Sequence, residues 1–184
     1  MDSKATSVEY KKIATAMGFS PMAKANLAEV YRIAQKCGAD MFVFHIGLWS
    51  DQCEATYTSF LKELSIPKSG ITLVSKNGDP KVELLSLCAE NKIDLLALGA
   101  LTREKMFKVF NVSIARDVCR KAHVSLLLLT NSMVEGRVCE RIVVNGSDHS
   151  KTPDTIATAV WLSSKLGSRE LYVVDELNEK SLVH

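Results

Sequence analysis

The residues whose spacing best suits a chemical role lie between positions 99 and 113. Gly99 directly follows the largely apolar residues 94–98, and Ser113 directly precedes a stretch in which apolar residues recur at helical spacing. A strand, a loop and a helix N-terminus in this order can hold a phosphate group, because the helix end presents free N–H donors and partial positive charge. Glycines usually let such a loop approach the phosphate oxygens, yet residues 99–113 contain a single glycine. The segment therefore predicts the outline of a phosphate loop without most of its glycines.

Basic side chains are frequent in and after this loop, and they allow two interpretations. Lys105 or Lys108 could fold over a phosphate and replace the lost glycine contacts. The alternative is a solvated helix face whose charges contact water. Nucleic-acid binding would need a larger basic stripe with stacking aromatic side chains, so the sequence predicts no nucleic-acid partner.

The sequence contains no arrangement of residues that predicts catalysis or metal binding. Asp148, His149 and Ser150 stand side by side, whereas catalytic triads assemble from distant positions, so these three predict a turn at a helix start. The spacing of His, Cys and carboxylate residues fits no metal site. We therefore expect a protein that is not an enzyme and holds no metal.

The composition is typical of a globular cytoplasmic protein. The 184 residues are 47% hydrophobic and 24% charged, and the net charge of +2 favours neither nucleic acid nor a membrane surface. No apolar stretch reaches the length of a membrane span, and the N-terminal residues lack an apolar signal segment. Five dispersed cysteines predict reduced thiols, and we expect Cys88 and Cys119 on buried helix faces.

Five short apolar segments alternate with stretches of helical period. These segments lack the alternation of a half-exposed strand, which predicts parallel strands covered by helices on both faces. Right-handed crossovers then favour a doubly wound, five-stranded, parallel open sheet of the α/β class. The predicted strands are residues 12–16, 41–46, 70–74, 94–98 and 124–130, and the predicted helices are residues 25–37, 53–64, 81–91 and 114–123.

The remaining residues predict part of a second, similar domain. Residues 1–131 form the predicted first domain, residues 132–140 a linker, and residues 141–184 a β-α-β segment of the second. When this segment is aligned with the start of the chain, Gly146 falls on Gly18 and Gly167 on Gly38, with one residue of slippage. A lone β-α-β unit cannot cover both faces of its sheet. The segment is therefore expected to belong to a longer tandem protein, or to dock on a partner or on the first domain.

Three stretches together resemble the universal stress protein family. They are residues 11–47, residues 77–100 with the turn Asn77-Gly78-Asp79-Pro80, and residues 112–131. The resemblance covers residues 11–131, and residues 141–177 look like the opening of a second such domain. It implies a fold like that of the adenine nucleotide alpha hydrolases.

ATP-binding members of that family carry Gly-x2-Gly-x9-Gly-Ser/Thr after the fourth strand. Counted from Gly99, the second glycine position is Thr102, the third is Val112, and the final hydroxyl belongs to Ser113. The β-branched side chain of Val112 disfavours a positive φ and would crowd a phosphate. The resemblance therefore implies a degraded ATP-binding motif, with a pocket that is empty or filled by the protein's own side chains.

The family also places an acidic residue at the end of the first strand, where this chain has Met17, with Asn145 in the second copy. The resemblance leaves these candidates for a degenerate nucleotide pocket: Gly18, His45, Ile46, Gly99, Thr102 and Ser113. For the His45 side chain the alternative is an imidazole with no role in binding. The expected cofactor is none, with ATP or AMP as the alternative.

Three hypotheses for function follow. The first is a non-enzymatic stress-response protein that acts through association, with a homodimer paired along the last strand, from Val124 to Thr130. The second is a sensor that binds an adenine nucleotide through Ser113, Thr102 and nearby lysines. The third is the soluble regulatory part of a larger protein such as a membrane transporter, because the family also occurs in such fusions.

Overall fold

The computed structural model describes residues 9–99, 114–147 and 149–175, which belong to two units. The first unit, Tyr10–Gly136, alternates strands with helices. Its strands are β1 (Lys12–Ala16), β2 (Asp40–Ile46), β3 (Ile71–Lys76), β4 (Leu95–Gly99) and β5 (Ser125–Leu129). Its described helices are α1 (Ala23–Cys37), α2 (Asp51–Glu63), α3 (Pro80–Asn91) and α4 (Ile114–Lys121).

The five strands form one parallel sheet in the order β3-β2-β1-β4-β5. β1 lies in the centre, where Ile13 is in register with Met41 of β2 and with Leu95 of β4. The predicted doubly wound, five-stranded α/β fold is therefore confirmed.

Both faces of the sheet are buried at its central strands β1, β2 and β4, as their unbroken apolar sequences require. On one face Phe44, Leu96 and Leu98 belong to a core cluster with residues of α3 and α4, including Leu84 and Val118. Successive strand residues point to opposite faces, so the fully buried Ile13, Val43 and Ala97 serve the other face. Each large apolar side chain buried in this way stabilises the fold by about 1.5–3 kcal/mol.

Local sequence sets where the helices begin and end. The Ser50 hydroxyl accepts a hydrogen bond from the Cys53 amide at the start of α2. Asp79 caps α3 by accepting from the Lys81 amide at 2.8 Å, with Pro80 at the first helical position. Gly38, with φ +66°, ends α1 in the left-handed conformation that favours glycine.

A carboxylate at the amino edge of the sheet fixes β1 beside β4. One oxygen of Asp94 accepts hydrogen bonds from the backbone amides of Lys11 and Lys12, both at 2.8 Å. The Asp94 amide in turn donates to the Lys12 carbonyl. These contacts set the register of β1 beside β4 at the amino edge of the sheet.

The chain after β5 packs on α1. Arg32 donates to the carbonyls of Val134 at 2.7 Å and Met133 at 2.8 Å. Gly136, with φ +78°, comes so close that a Cβ there would lie 2.6 Å from the Arg32 guanidinium. Residues 133–136, which fall within the predicted linker of residues 132–140, therefore lie against α1 as part of the first unit, while the predicted domain boundaries stay a prediction.

The second unit contains β6 (Arg141–Asn145), α5 (Thr152–Leu166) and β7 (Glu170–Val174), with β6 and β7 parallel. The side of this sheet that carries Val144 is covered, since Val144 and Ala159 of α5 are buried. Val143 and its register partner Tyr172 are exposed by 61% and 47%. The described residues thus leave an apolar face of this small sheet open, and its origin as the start of a second domain stays a prediction.

The expectation that Cys119 is buried is wrong. Cys88 of α3 is buried as expected, but Cys119 of α4 is exposed. Its neighbour Val118 is fully buried, and consecutive helical residues are rotated by about 100°, so Cys119 turns away from the core. Burial raises the pKa of the Cys88 thiol to about 11.

Candidate functional site

The carboxyl ends of β1 and β4 meet where the strand order changes direction. From β1 the chain continues to β2 and β3 on one side, whereas β4 leads to β5 on the other. Open α/β sheets bind ligands at such a point, because the diverging connections leave a crevice beyond the strand ends. This edge is therefore the candidate site.

A cleft of about 390 Å³ occupies this edge of the first unit. The β1–α1 turn and the first turns of α1 contribute Gly18, Ser20, Ala23 and Asn26. The ends of β2 and β4 and the start of α3 contribute a mostly apolar set of residues: Phe44, Ile46, Pro80, Leu84, Leu98 and Gly99. No described residue that lines the cleft carries a charge.

Three of the predicted site residues come together in this cleft. Gly18, Ile46 and Gly99 line it, although they follow or end three different strands. A Cβ at Gly18 would meet no described atom within 4 Å, so the space above this glycine is open. Thr102 and Ser113, together with Val112, lie outside the described residues, and the predicted site as a whole stays a prediction.

His45 has a different position from Ile46. Its side chain is buried on the other face of β2, and Nδ1 lies 2.9 Å from the Met17 carbonyl oxygen. Because that oxygen accepts the hydrogen bond, Nδ1 carries the proton. The imidazole therefore fixes the end of β1 and is absent from the described lining of the cleft.

Aromatic rings surround His45 and hold the β1–α1 turn. The centroid of the Phe19 ring lies 5.6 Å from that of His45 and 5.8 Å from that of Trp49. The Trp49 ring also contacts the Tyr57 ring. Phe19 has a φ of +50°, an unfavourable conformation for a bulky residue that persists where surrounding contacts enforce it. Gly18 is thereby positioned at the cleft by the aromatic residue that follows it.

Met17 stands where the family resemblance implies an acidic residue. Its side chain is 4% exposed, and its backbone amide donates to the Phe44 carbonyl at 2.8 Å. The residue thus joins β1 to β2 and adds an apolar side chain to the cleft.

The sequence did not predict the two described polar residues that line the cleft, Ser20 and Asn26, and Asn26 is the more buried of them. Asn26 lines the cleft and is 8% exposed, and no side-chain hydrogen bond joins it to another described residue. Its Nδ2 lies 2.5 Å from the position that a Cβ of Gly99 would occupy, so only a glycine permits this approach. The signal in the sequence was an amide on the apolar stripe of α1, between Ala25 and Leu27.

Solved structures share the architecture of this chain. A protein of unknown function from Pseudomonas aeruginosa PAO1 covers 90% of it at 12% identity with a TM-score of 0.68. A universal stress protein from Archaeoglobus fulgidus DSM 4304 covers 71% at 16% identity and a TM-score of 0.53. A universal stress protein solved in complex with cAMP covers 66% at 16% identity, also with a TM-score of 0.53. The chain has the universal stress protein fold.

The likeness to universal stress proteins concerns the fold and extends over different shares of these proteins. The match spans 97% of the protein solved with cAMP, but 60% of the Pseudomonas protein and 48% of the Archaeoglobus protein. No family model matches the sequence, and no curated protein matches it either.

The described residues of this universal stress protein fold contain neither a metal cluster nor a membrane-spanning helix. Within residues 9–99, 114–147 and 149–175, no three His, Cys, Asp or Glu side chains lie close enough to share a metal ion. In the same residues, no helix combines the length and the apolar character that a membrane crossing needs.

Proposed function

We propose that this chain is a non-catalytic protein of the universal stress type that binds an adenine nucleotide in the cleft beyond β1 and β4. The supporting observation is the open cleft itself, which brings Gly18, Ile46 and Gly99 together at the switch point of the sheet. Its volume of about 390 Å³ lies within the range of small-molecule pockets. The universal stress protein solved with cAMP supports an adenine-containing ligand.

The lining of the cleft suits such a ligand. Phe44, Ile46 and Leu84 offer apolar contacts for a flat base, while Ser20 and Asn26 offer hydrogen bonds for the polar remainder. The described lining holds no carboxylate, histidine or lysine side chain that could serve as a general acid or base. These features favour binding without chemical conversion.

Calorimetric titration of the purified chain with AMP and ATP tests the proposal, and we expect saturable binding below millimolar concentration. Gly18→Leu should weaken binding at least tenfold, because its side chain enters the open space above residue 18. Gly70→Leu is the matched control, since Gly70 also has ordinary backbone angles and a Cβ there would meet Pro67 at an ordinary 3.6 Å.

The two variants and the wild type together decide the outcome. An absence of heat at millimolar AMP and ATP would refute nucleotide binding. Equal losses of affinity in Gly18→Leu and Gly70→Leu would refute the location of the site. A protein without catalytic activity should leave AMP and ATP chemically unchanged after prolonged incubation. Chromatography of the mixture measures this.

Association is the second candidate function, and the position of β5 favours it. Among the described strands β5 pairs with β4 alone and so forms one edge of the sheet, where Leu128 is 44% exposed. A strand edge of this kind is a ready partner for the same strand of a second copy. We propose a homodimer paired along β5, within the segment from Val124 to Thr130.

Sedimentation velocity tests the dimer. Leu128→Lys should shift the equilibrium toward monomer, because lysine on an edge strand opposes pairing. Val82→Lys, at a 59% exposed position on α3, is the control and should leave the dimer intact. A wild-type protein that stays monomeric at high concentration would contradict this second function.

A further inference from the structure

The N-terminus of α1 carries hydrogen-bond donors that the described residues leave unused. The Ala23 amide donates to the Ser20 carbonyl, and the Asn26 amide donates to the Met22 carbonyl. Between them, the backbone N–H groups of Lys24 and Ala25 have no acceptor among the described residues. Met22, at the N-cap position, contributes no side-chain hydrogen bond.

The charge around this helix end favours an anion. The first turn of α1 contains no acidic residue, so nothing there neutralises the positive end of the helix dipole. The Lys24 ammonium is paired at 2.8 Å with Glu63 of α2. The attraction for an anion therefore comes from the dipole and from neutral donors, without a free lysine.

Asn26 provides an independent sign that a ligand belongs here. Asn26 is 8% exposed, lines the cleft and has no side-chain hydrogen bond to another described residue. An amide that faces a cleft without a protein partner is completed there by water or by a ligand that accepts its hydrogen bond. Nδ2 lies beside Gly99, at the cleft wall that α1 and β4 share.

We propose that the first turn of α1 and the Asn26 amide form a phosphate subsite of the cleft. The phosphate would accept hydrogen bonds from the Lys24 and Ala25 amides and from Asn26 Nδ2. A phosphate oxygen accepts without donating, and these three groups can all donate. The proposal rests on the proposed nucleotide binding and assigns the phosphate to α1, in place of the glycine-poor segment 99–113.

Titrations with AMP, adenosine and inorganic phosphate test this assignment in the full chain. Wild-type protein should bind AMP about tenfold or more tightly than adenosine, because hydrogen bonds to a charged group contribute strongly. Inorganic phosphate should compete with AMP and leave adenosine binding unchanged.

Asn26→Asp is the sharpest variant, because it keeps the side-chain size and replaces the donor by a carboxylate that repels phosphate. AMP affinity should fall about tenfold or more, while adenosine affinity changes less than threefold. Gln52→Glu is the control, because it makes the same change from amide to carboxylate at an exposed position of α2 outside the described lining of the cleft, and its AMP affinity should change less than twofold.

The possible results separate this inference from the proposed function. Equal losses for AMP and adenosine in Asn26→Asp, or an equal loss of AMP binding in Asn26→Asp and Gln52→Glu, would overturn the α1 subsite and leave adenine binding standing. AMP binding no tighter than adenosine binding in the wild type would overturn the subsite as well. A wild-type chain that binds neither ligand would overturn the proposed function itself.

Discussion

The side-chain nitrogen of Asn26 lies 2.5 Å from the point at which Gly99 would carry a Cβ atom. Gly99→Ala should therefore displace Asn26 and lower the free energy of unfolding by about 1–3 kcal/mol, measured in urea. Asn26→Ala in the same chain removes the clash, so the double variant should recover most of that loss. Gly18→Ala is the control and should be nearly neutral, because its Cβ would enter open space. Strictly additive effects of the two substitutions would contradict this coupling.

The hydrogen bond between His45 and the Met17 carbonyl predicts a structural role for the imidazole. His45→Phe keeps a ring among Phe19 and Trp49 but leaves the carbonyl without its donor, so we expect a loss of about 1–3 kcal/mol in unfolding free energy. His123→Phe, at an exposed position, should change stability by less than about 0.5 kcal/mol. Urea unfolding of both variants measures the difference, and equal stabilities would show that this hydrogen bond contributes nothing.

Tyr57 predicts a loss of stability at alkaline pH. Burial, with a smaller effect of the Glu54 charge, raises the pKa of Tyr57 from 10.0 to about 12. Between these two values the unfolded chain releases the proton while the folded chain retains it, so stability falls as pH rises above about 10. At pH 11 the Tyr57 hydroxyl should lower the free energy of unfolding by about 1 kcal/mol relative to neutral pH.

The comparison of Tyr57→Phe with wild type isolates that contribution. The variant should lack this part of the decline between pH 8 and pH 11, whereas Tyr172→Phe, at a 47% exposed position, should follow the wild type. Urea unfolding at several pH values is the measurement. Parallel pH profiles of wild type and Tyr57→Phe would refute the role of Tyr57.

The two helix cysteines should differ in reactivity. Cys88 is buried and its pKa is raised to about 11, whereas Cys119 is exposed. Iodoacetamide at pH 8 should therefore modify Cys119 at least about a hundredfold faster than Cys88, because the thiolate reacts. Peptide mass spectrometry measures both rates, and urea should bring them close together. Rapid labelling of Cys88 in the native protein would contradict its burial.

Much of the fold could be predicted because the relevant patterns are local. An unbroken apolar run such as residues 12–16 requires a strand covered on both faces, and β1 has those bounds. The turn that ends in Asp79 and Pro80 predicted a helix start, and both residues cap α3. The wrong expectation for Cys119 arose because one residue of rotation separates the buried face of α4 from solvent.

The candidate site was less predictable, since it depends on residues that are distant in the chain. The family resemblance selected both His45 and Ile46, but alternation along β2 places Ile46 at the cleft and His45 on the opposite face. The sequence did not predict Asn26 as a site residue, because the role of an amide within an apolar helical stripe depends on neighbours that are distant in the chain.

By itself, the sequence determined the strands, the helices and the parallel type of the sheet, because apolar periodicity and capping residues act within a few positions of the chain. The tertiary structure decided which side chains share the cleft. Only the pairing of β1 with β4 brings Gly99 beside the first turns of α1, where the missing Cβ leaves room for the Asn26 amide. Such proximity follows from packing across the sheet, which no local pattern of residues specifies.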